Sequence, residues 1–357
     1  MVKPGKTIRL GIIGCGKVAE ERHLPSLRRL PQIRVVATAD SDPRRSSRLA
    51  DRFGAAHRLS DYRALLDLAD VDAVAVLTPT QSHAEVGMAA LDAGKHVLVE
   101  KPLALNLAEC DQLIARAARS NRSVVVGFNL RWHRLVRRAR AFLDTGALGR
   151  IKAIRSVYTH NRLGDKAPEW HRKLELGGGV SFNEGVHHFD LWRYFTGSDV
   201  EQVFSFSIPS LYYEDETSAI TARLADGTLA TAIFTFRSGP NSEVEIYGES
   251  GRLCLSLYRF DGLDFFSNSE YPGNIGDRLR KAVAALGGLP ETIPILLRGG
   301  DFQATFDGLW RHFIDCISHG QPSQCTLEDG RSSLRVALAA TESARSGLPI
   351  RIRTRDF

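Results

Sequence analysis

Short apolar runs alternate with amphipathic stretches along the first third of the chain. "TIRLGIIG" (7–14) reads as a buried strand that ends in glycines. "ERHLPSLRRL" (21–30) reads as a helix and "IRVVATAD" (33–40) as a second strand. The alternation continues through the helix "PRRSSRLADRFG", a third strand "DAVAVLTPT", the helix "HAEVGMAALDAGK", a fourth strand "HVLVEKP", the helix "NLAECDQLIARAARSN" and a fifth strand "SVVVGF". Continuous apolar strands separated by helices predict a parallel sheet covered on both faces, so residues 1–127 are expected to form a doubly wound, Rossmann-type α/β domain.

Beyond residue 127 the period changes. "IKAIRSVYTH", "VEQVFSFSI", "SAITARLADGTLATAIFTFR" and "VEIYGESGRLCLSLYRF" are longer and alternate in character, with "ADGT" and "GESG" as hairpin turns. They predict a second, α+β domain over 128–357 with a large, mostly antiparallel open sheet. Helices are expected on one sheet face, leaving the other for a partner subunit. Residues 261–301 are glycine-rich and mixed, and read as an insertion with one helix near "DRLRKAVAAL". "DFQATFDGLWRHFIDCISHG" and "LEDGRSSLRVALAATESARSG" predict two C-terminal helices stopped by Gly320 and Gly347.

Composition narrows the class. With 357 residues, 43% hydrophobic and 25% charged, the chain reads as a two-domain globular protein. No apolar run approaches the roughly 18 residues of a membrane helix, and the basic start leads directly into a strand rather than a leader peptide. Five scattered cysteines without a CxxC pair argue for reduced thiols in a cytoplasm and against a metal site. The net charge of +6 suits anionic small ligands. The densest basic stretch, "RWHRLVRRARAF", reads as a solvated helix face rather than a nucleic-acid contact.

The loop "GIIGCGKVA" places Gly14, Gly16 and Ala19 in a G-x-G-x-x-A arrangement between a strand and a helix. The first glycine permits a tight turn, the second lets the main chain approach a pyrophosphate, and the small third residue lets helix and strand pack closely. Asp40 closes the second strand 21 residues after Ala19, where a carboxylate accepts ribose hydroxyls and repels a 2′-phosphate. This favours NAD, although Arg44 and Arg45 follow and would suit NADP. Gly14, Cys15, Gly16, Lys17, Val18, Asp40, Ser41 and Arg45 are the candidate cofactor contacts of this region.

At the end of the fourth strand stand Glu100, Lys101 and Pro102, where ligands of doubly wound sheets lie. The set "GIIGCGKVAE", "TPTQSHAEVGMAALDAGKHVLVEKPLAL", "GFNLRWH", "GALGRI" and "GGGVSFNEGVHHFDLWRYFTG" resembles, in order, the glucose–fructose oxidoreductase / inositol dehydrogenase / MocA family over nearly the whole chain except 261–301. The resemblance implies a nicotinamide-dependent oxidoreductase acting on CH–OH groups of sugars, cyclitols or related polyols. It further implies a homodimer or homotetramer formed through the C-terminal sheet. In the family the lysine of the E-K-P motif lies near nicotinamide and substrate, which Lys101 matches, and a cis peptide before Pro102 is compatible with it. Thr78, Pro79 and His83 match the loop that crosses the dinucleotide, joined by Glu100 and Lys101.

The family's D-x-G-x-H motif falls on Asn183, Gly185 and His187. A spacing of four puts Asn183 and His187 on one α-helical face, while His188 points about 100° away, so His187 is the expected catalytic histidine and His188 a structural one. An amide does not titrate, so Asn183 can orient but cannot act as a base. Proton transfer then falls to His187 and Lys101, His187 being the better base near neutral pH. Asp190 either orients the imidazole or makes a structural ion pair. Further substrate candidates are Asn129, Arg131, Trp170 (or ordinary packing) and Arg172 (or a surface ion pair). Redox-neutral sugar elimination or hydrolysis with held NAD, and a non-catalytic dinucleotide and sugar sensor, are the alternative functions.

Overall fold

The computed structural model describes residues 7–269, 276, 279, 283, 289–297 and 299–352, which form two compact units. The first carries a six-stranded parallel sheet in the order β3-β2-β1-β4-β5-β6. Its strands are β1 (Ile8–Ile13), β2 (Ile33–Ala39), β3 (His57–Leu59), β4 (Ala73–Val76), β5 (His96–Val99) and β6 (Val124–Val126). β4 and β5 are buried at every position, as strands with helices on both faces must be. The sheet direction switches between β1 and β4, both of which pair in parallel. β3 and the short helix Tyr62–Leu66 were not foreseen, because three and five residues carry no readable period.

Helix ends follow local chemistry. Asp42 caps Pro43–Phe53 by accepting the Arg44 N–H, and Gly54 closes that helix in the left-handed region at φ 67°. Asn106 caps Leu107–Ser120 through the Glu109 N–H, while its own amide donates to the Glu109 carboxylate.

A single cut after residue 127 was expected from sequence. The first unit runs to Asn129 and also takes in Glu175–Gly177 and Phe306–Arg335. The reason lies in its packing. The Val126 N–H donates to the Cys325 carbonyl, Arg331 pairs with Asp111, and the rings of Phe306 and Trp310 meet His23 edge-on at 5.0 and 5.7 Å.

The second unit carries an eight-stranded sheet in the order β13-β12-β11-β7-β10-β9-β8-β14. These are β7 (Ile151–Asn161), β8 (Val200–Ile208), β9 (Thr217–Leu224), β10 (Leu229–Thr235), β11 (Arg237–Gly248), β12 (Gly251–Ser256), β13 (Leu263–Ser267) and β14 (Ile350–Arg351). All pairs are antiparallel except β7 with β10. Inward Ile220, Ala222, Ala230, Ala232 and Phe234 are buried, and their outward neighbours are exposed, which is the alternation that marks a half-covered sheet. The helix Val186–Thr196 packs on the inner face: Phe189 meets Phe234 at 5.8 Å, and Trp192 donates to the Ser156 hydroxyl at 2.9 Å. The outer face presents Phe206, Ile208, Leu229 and Ile233, each more than half exposed.

Within 261–301 the structure adds β13 as an edge strand and a helix over Leu289–Leu297. The helix expected at 277–286 lies, apart from Leu279 and Val283, outside the described residues. Among the described residues no helix is long and apolar enough to cross a membrane.

Phe234 is fully buried in the sheet, against Phe189 of the helix Val186–Thr196. Phe234→Ala is expected to cost about 3–5 kcal/mol in urea unfolding, with an unchanged slope.

Candidate active site

In the first unit the glycine turn follows β1. Gly14 has φ 91°, and a Cβ there would lie 2.6 Å from the Leu77 carbonyl carbon, so only glycine fits against the end of β4. A Cβ at Gly16 would meet nothing within 4 Å, so its main chain is open to a close-approaching ligand. Asp40 accepts the Cys15 N–H on one carboxylate oxygen at 2.7 Å and the Asp42 N–H on the other at 2.9 Å. Each oxygen keeps a second lone-pair direction for a ribose hydroxyl. Arg44 and Arg45 lie 3.2 and 3.7 Å from the Asp42 carboxylate. Cys15 is buried and its thiol is pushed up to about 12 by burial and the Asp40 charge, so its part in the site is its backbone. Lys17 and Val18 are exposed at the start of the next helix, whose first turn, Ala19–His23, is of π type. Ser41 is exposed beside Asp40. The open glycine loop, the helix start and the Asp40 carboxylate fit a dinucleotide.

Thr78 and Pro79 lead from β4 into the turn Thr80–Ser82, where the Ser82 hydroxyl donates to Thr78 Oγ1 at 2.8 Å. His83 is buried, with ring nitrogens 2.7 and 2.8 Å from the Pro102 and Thr78 carbonyls. Burial holds this imidazole below its usual pKa, and as a neutral ring it donates to one of those carbonyls at a time. Lys101 is half-buried at the end of β5, and the Lys101–Pro102 peptide is cis. Glu100 turns inward to His23 at 3.1 Å. Asn129 is buried, its N–H on the Gly127 carbonyl.

In the second unit, Gly178 and Gly179 lead into a π turn, Ser181–Gly185, before the helix Val186–Thr196. The turn Ser181–Gly185 is thus wound more widely than the regular α-helix on which Asn183 and His187 were expected to share a face; π turns recur at functional sites. The Asn183 amide nitrogen donates to the Gly179 carbonyl at 2.8 Å and the His171 carbonyl at 3.2 Å. His187 is 7% exposed. His188 is fully buried against Tyr158 and Phe234, its two ring nitrogens without a hydrogen-bond partner among the described residues. Burial lowers its pKa to about 4.

Of the two roles open to Asp190, the ion pair is present: Arg131 donates to it twice, at 2.7 and 2.5 Å, and stacks over Tyr194 at 5.1 Å. Trp170 is half-buried, its ring 4.6 Å from that of His171. Arg172 is half-buried, its Nε shielded and without a partner among the described residues.

Several groups went unnoticed in the sequence. Asp215 accepts the Ser181 N–H at 2.9 Å and the hydroxyls of Ser207 and Ser218, which ties β8 and β9 to the start of the π turn. Glu184, beside Asn183, pairs with Arg162. His23 and Trp310 lie behind Glu100.

Residues 8–128 match the model of an oxidoreductase family with an NAD-binding Rossmann fold, and residues 136–254 match the GFO/IDH/MocA C-terminal domain. The chain belongs to the Gfo/Idh/MocA oxidoreductase family. Myo-inositol 2-dehydrogenase of Thermotoga maritima is 25% identical over 94% of this chain and 96% of that protein. Levoglucosan dehydrogenase of Pseudarthrobacter phenanthrenivorans is 35% identical over 70% and 71%. In fold, the chain resembles the solved levoglucosan dehydrogenase complex with NADH and L-sorbose, at TM-score 0.81 and 20% identity, covering 98% of this chain and all of the other. This family member is thus an NAD-dependent oxidoreductase acting on CH–OH groups, and its Gly14–Val18 loop and Asp40 are the features that suit NAD.

The folded-state pKa of His188 lies below the value of about 6.5 of a free imidazole, so as pH falls the unfolded chain takes up the proton first. Its contribution is intact above about pH 6.5 and is lost toward about pH 4; His96, also lowered to about 4, adds to the same slope. His188→Phe is expected to remove about 2–3 kcal/mol of that acid-side loss, read from urea midpoints across the window.

Proposed function

We propose that this enzyme moves hydride between NAD and a hydroxyl or keto carbon of a sugar, cyclitol or nucleotide-sugar-like substrate. The observation that carries this reading is the placement of Lys101 at the carboxyl end of β5, in the same sheet whose β1 loop and Asp40 suit the dinucleotide. Inositol and levoglucosan dehydrogenases among its relatives point to the same substrate class.

Bound NAD supplies the acceptor for the hydrogen that leaves the carbinol carbon. Lys101 donates to the substrate oxygen and stabilises its developing negative charge. His187 takes the hydroxyl proton in oxidation and returns it in reduction. Asn183 has its amide nitrogen on two backbone carbonyls, so its task is to fix the turn that presents His187 and to offer its carbonyl oxygen for orientation. Thr78, Pro79, Glu100, Ser41 and Arg45 border the dinucleotide, and Asn129, Arg131, Trp170 and Arg172 shape the substrate side. The apolar outer sheet face, with Phe206, Ile208, Leu229 and Ile233, forms a homodimer or homotetramer contact.

Incubation with NAD and a panel of sugars, inositols and nucleotide sugars is expected to generate the absorbance of reduced nicotinamide. Substrate loss without it, or binding without turnover, would overturn the reading. Lys101→Met and His187→Ala should each lower kcat by about 10²–10⁴-fold while dinucleotide affinity stays within about twofold. Near-normal turnover in either variant would remove that residue from its role.

A further inference from the structure

A directional chain of buried hydrogen bonds runs behind Lys101. Trp310 donates its Nε1–H to His23 Nδ1 at 3.2 Å, and His23 Nε2 stands 3.1 Å from Glu100 Oε1. The other Glu100 oxygen accepts the Lys101 backbone N–H at 3.3 Å. His23 and Trp310 are both 0% exposed, and Glu100 is 9% exposed. An indole nitrogen can only donate, so His23 Nδ1 must be an acceptor. The remaining proton of the neutral ring is then on Nε2 and points at the carboxylate. A doubly protonated ring would set two N–H groups against each other at Trp310.

The surroundings hold this polarity in place. Phe306 and Trp310 pack edge-on to the His23 ring. A Cβ at Gly127 would lie 2.9 Å from Glu100 Oε1, so the missing side chain makes room for the carboxylate. Burial pushes the Glu100 carboxyl up, but its neighbours, the His23 hydrogen bond first among them, outweigh it and keep the group below its ordinary range.

We propose that His23 and Trp310 are positioning residues for Lys101: they fix the tautomer and the carboxylate that together hold the strand end from which the lysine projects. The proposal rests on the role given to Lys101 above. It also gives Trp310, 287 residues from His23 and carried on the helix Gly300–His319, a task in the chemistry as well as in the packing of this unit. Groups that hold a functional side chain through its neighbours are a general requirement of a precise site.

The test needs no substrate, so failure of the sugar panel and failure of this chain of bonds are separable. Full-length protein labelled with ¹⁵N-histidine is compared with His23→Gln, which assigns the His23 signal and keeps a donor toward Glu100. At neutral pH, His23 is expected as the neutral Nε2–H tautomer, and Trp310→Phe should yield a mixture of tautomers. An Nδ1–H or doubly protonated ring in the wild type would overturn the proposal. Trinitrophenylation of Lys101, followed by peptide mass spectrometry, reads the effect on the lysine. The rate should change at least about threefold in His23→Leu and stay within about twofold of wild type in His23→Gln. Trp310→Phe keeps an aromatic ring and replaces His23→Leu if that variant does not fold. Equal rates in folded variants of both kinds would also overturn the proposal.

Discussion

The dinucleotide-binding half of the molecule depends on one close contact. Gly14 brings the end of β1 against the main chain of Leu77 and Thr78, at distances that leave no room for a side chain. This is where the sheet direction switches, and where ligands of doubly wound sheets lie. Because the turn is that tight, the Cys15 N–H meets the Asp40 carboxylate, and the open face of Gly16 is left toward a ligand. Remove the contact and the loop, the acid and the start of the next helix lose their common frame.

Each unit places a buried polar group, bonded to backbone, beside a side chain for which a catalytic role is proposed. In the first unit Glu100 takes His23 on one oxygen and the Lys101 N–H on the other. In the second, Asp215 takes the Ser181 N–H and two serine hydroxyls, while Asn183 ties its amide to Gly179 and His171. Buried carboxylates are costly unless fully bonded, so their presence beside the E-K-P lysine and the histidine-bearing turn shows where the fold spends its polar interior. His188 is the contrast. It lies next to His187 in the chain, yet it is packed among aromatic rings and kept neutral by burial.

Much of this was legible from residue order. The continuous apolar strands and the G-x-G-x-x-A loop predicted a parallel sheet, and the alternating strands predicted the antiparallel one; both sheets are present. What failed did so for physical reasons. Strands of two or three residues, β3 and β14, have no period to read. The π turn at Ser181–Gly185 leaves no trace in the residue pattern, which reads as one continuous helix. A single domain cut ignored Phe306 and Trp310, which pack on His23 from the far end of the chain. Long-range hydrogen bonds such as His23–Glu100 leave no local pattern, and neither does the bidentate pairing of Arg131 with Asp190.

The central claim is direct transfer of a carbon-bound hydrogen from a polyol to NAD. It is tested most directly with a substrate deuterated at the oxidised carbon, by the mass of the reduced cofactor after a single turnover. The account predicts one deuterium in the reduced nicotinamide. Reduced cofactor without the label, or turnover that leaves the cofactor oxidised throughout, would contradict it.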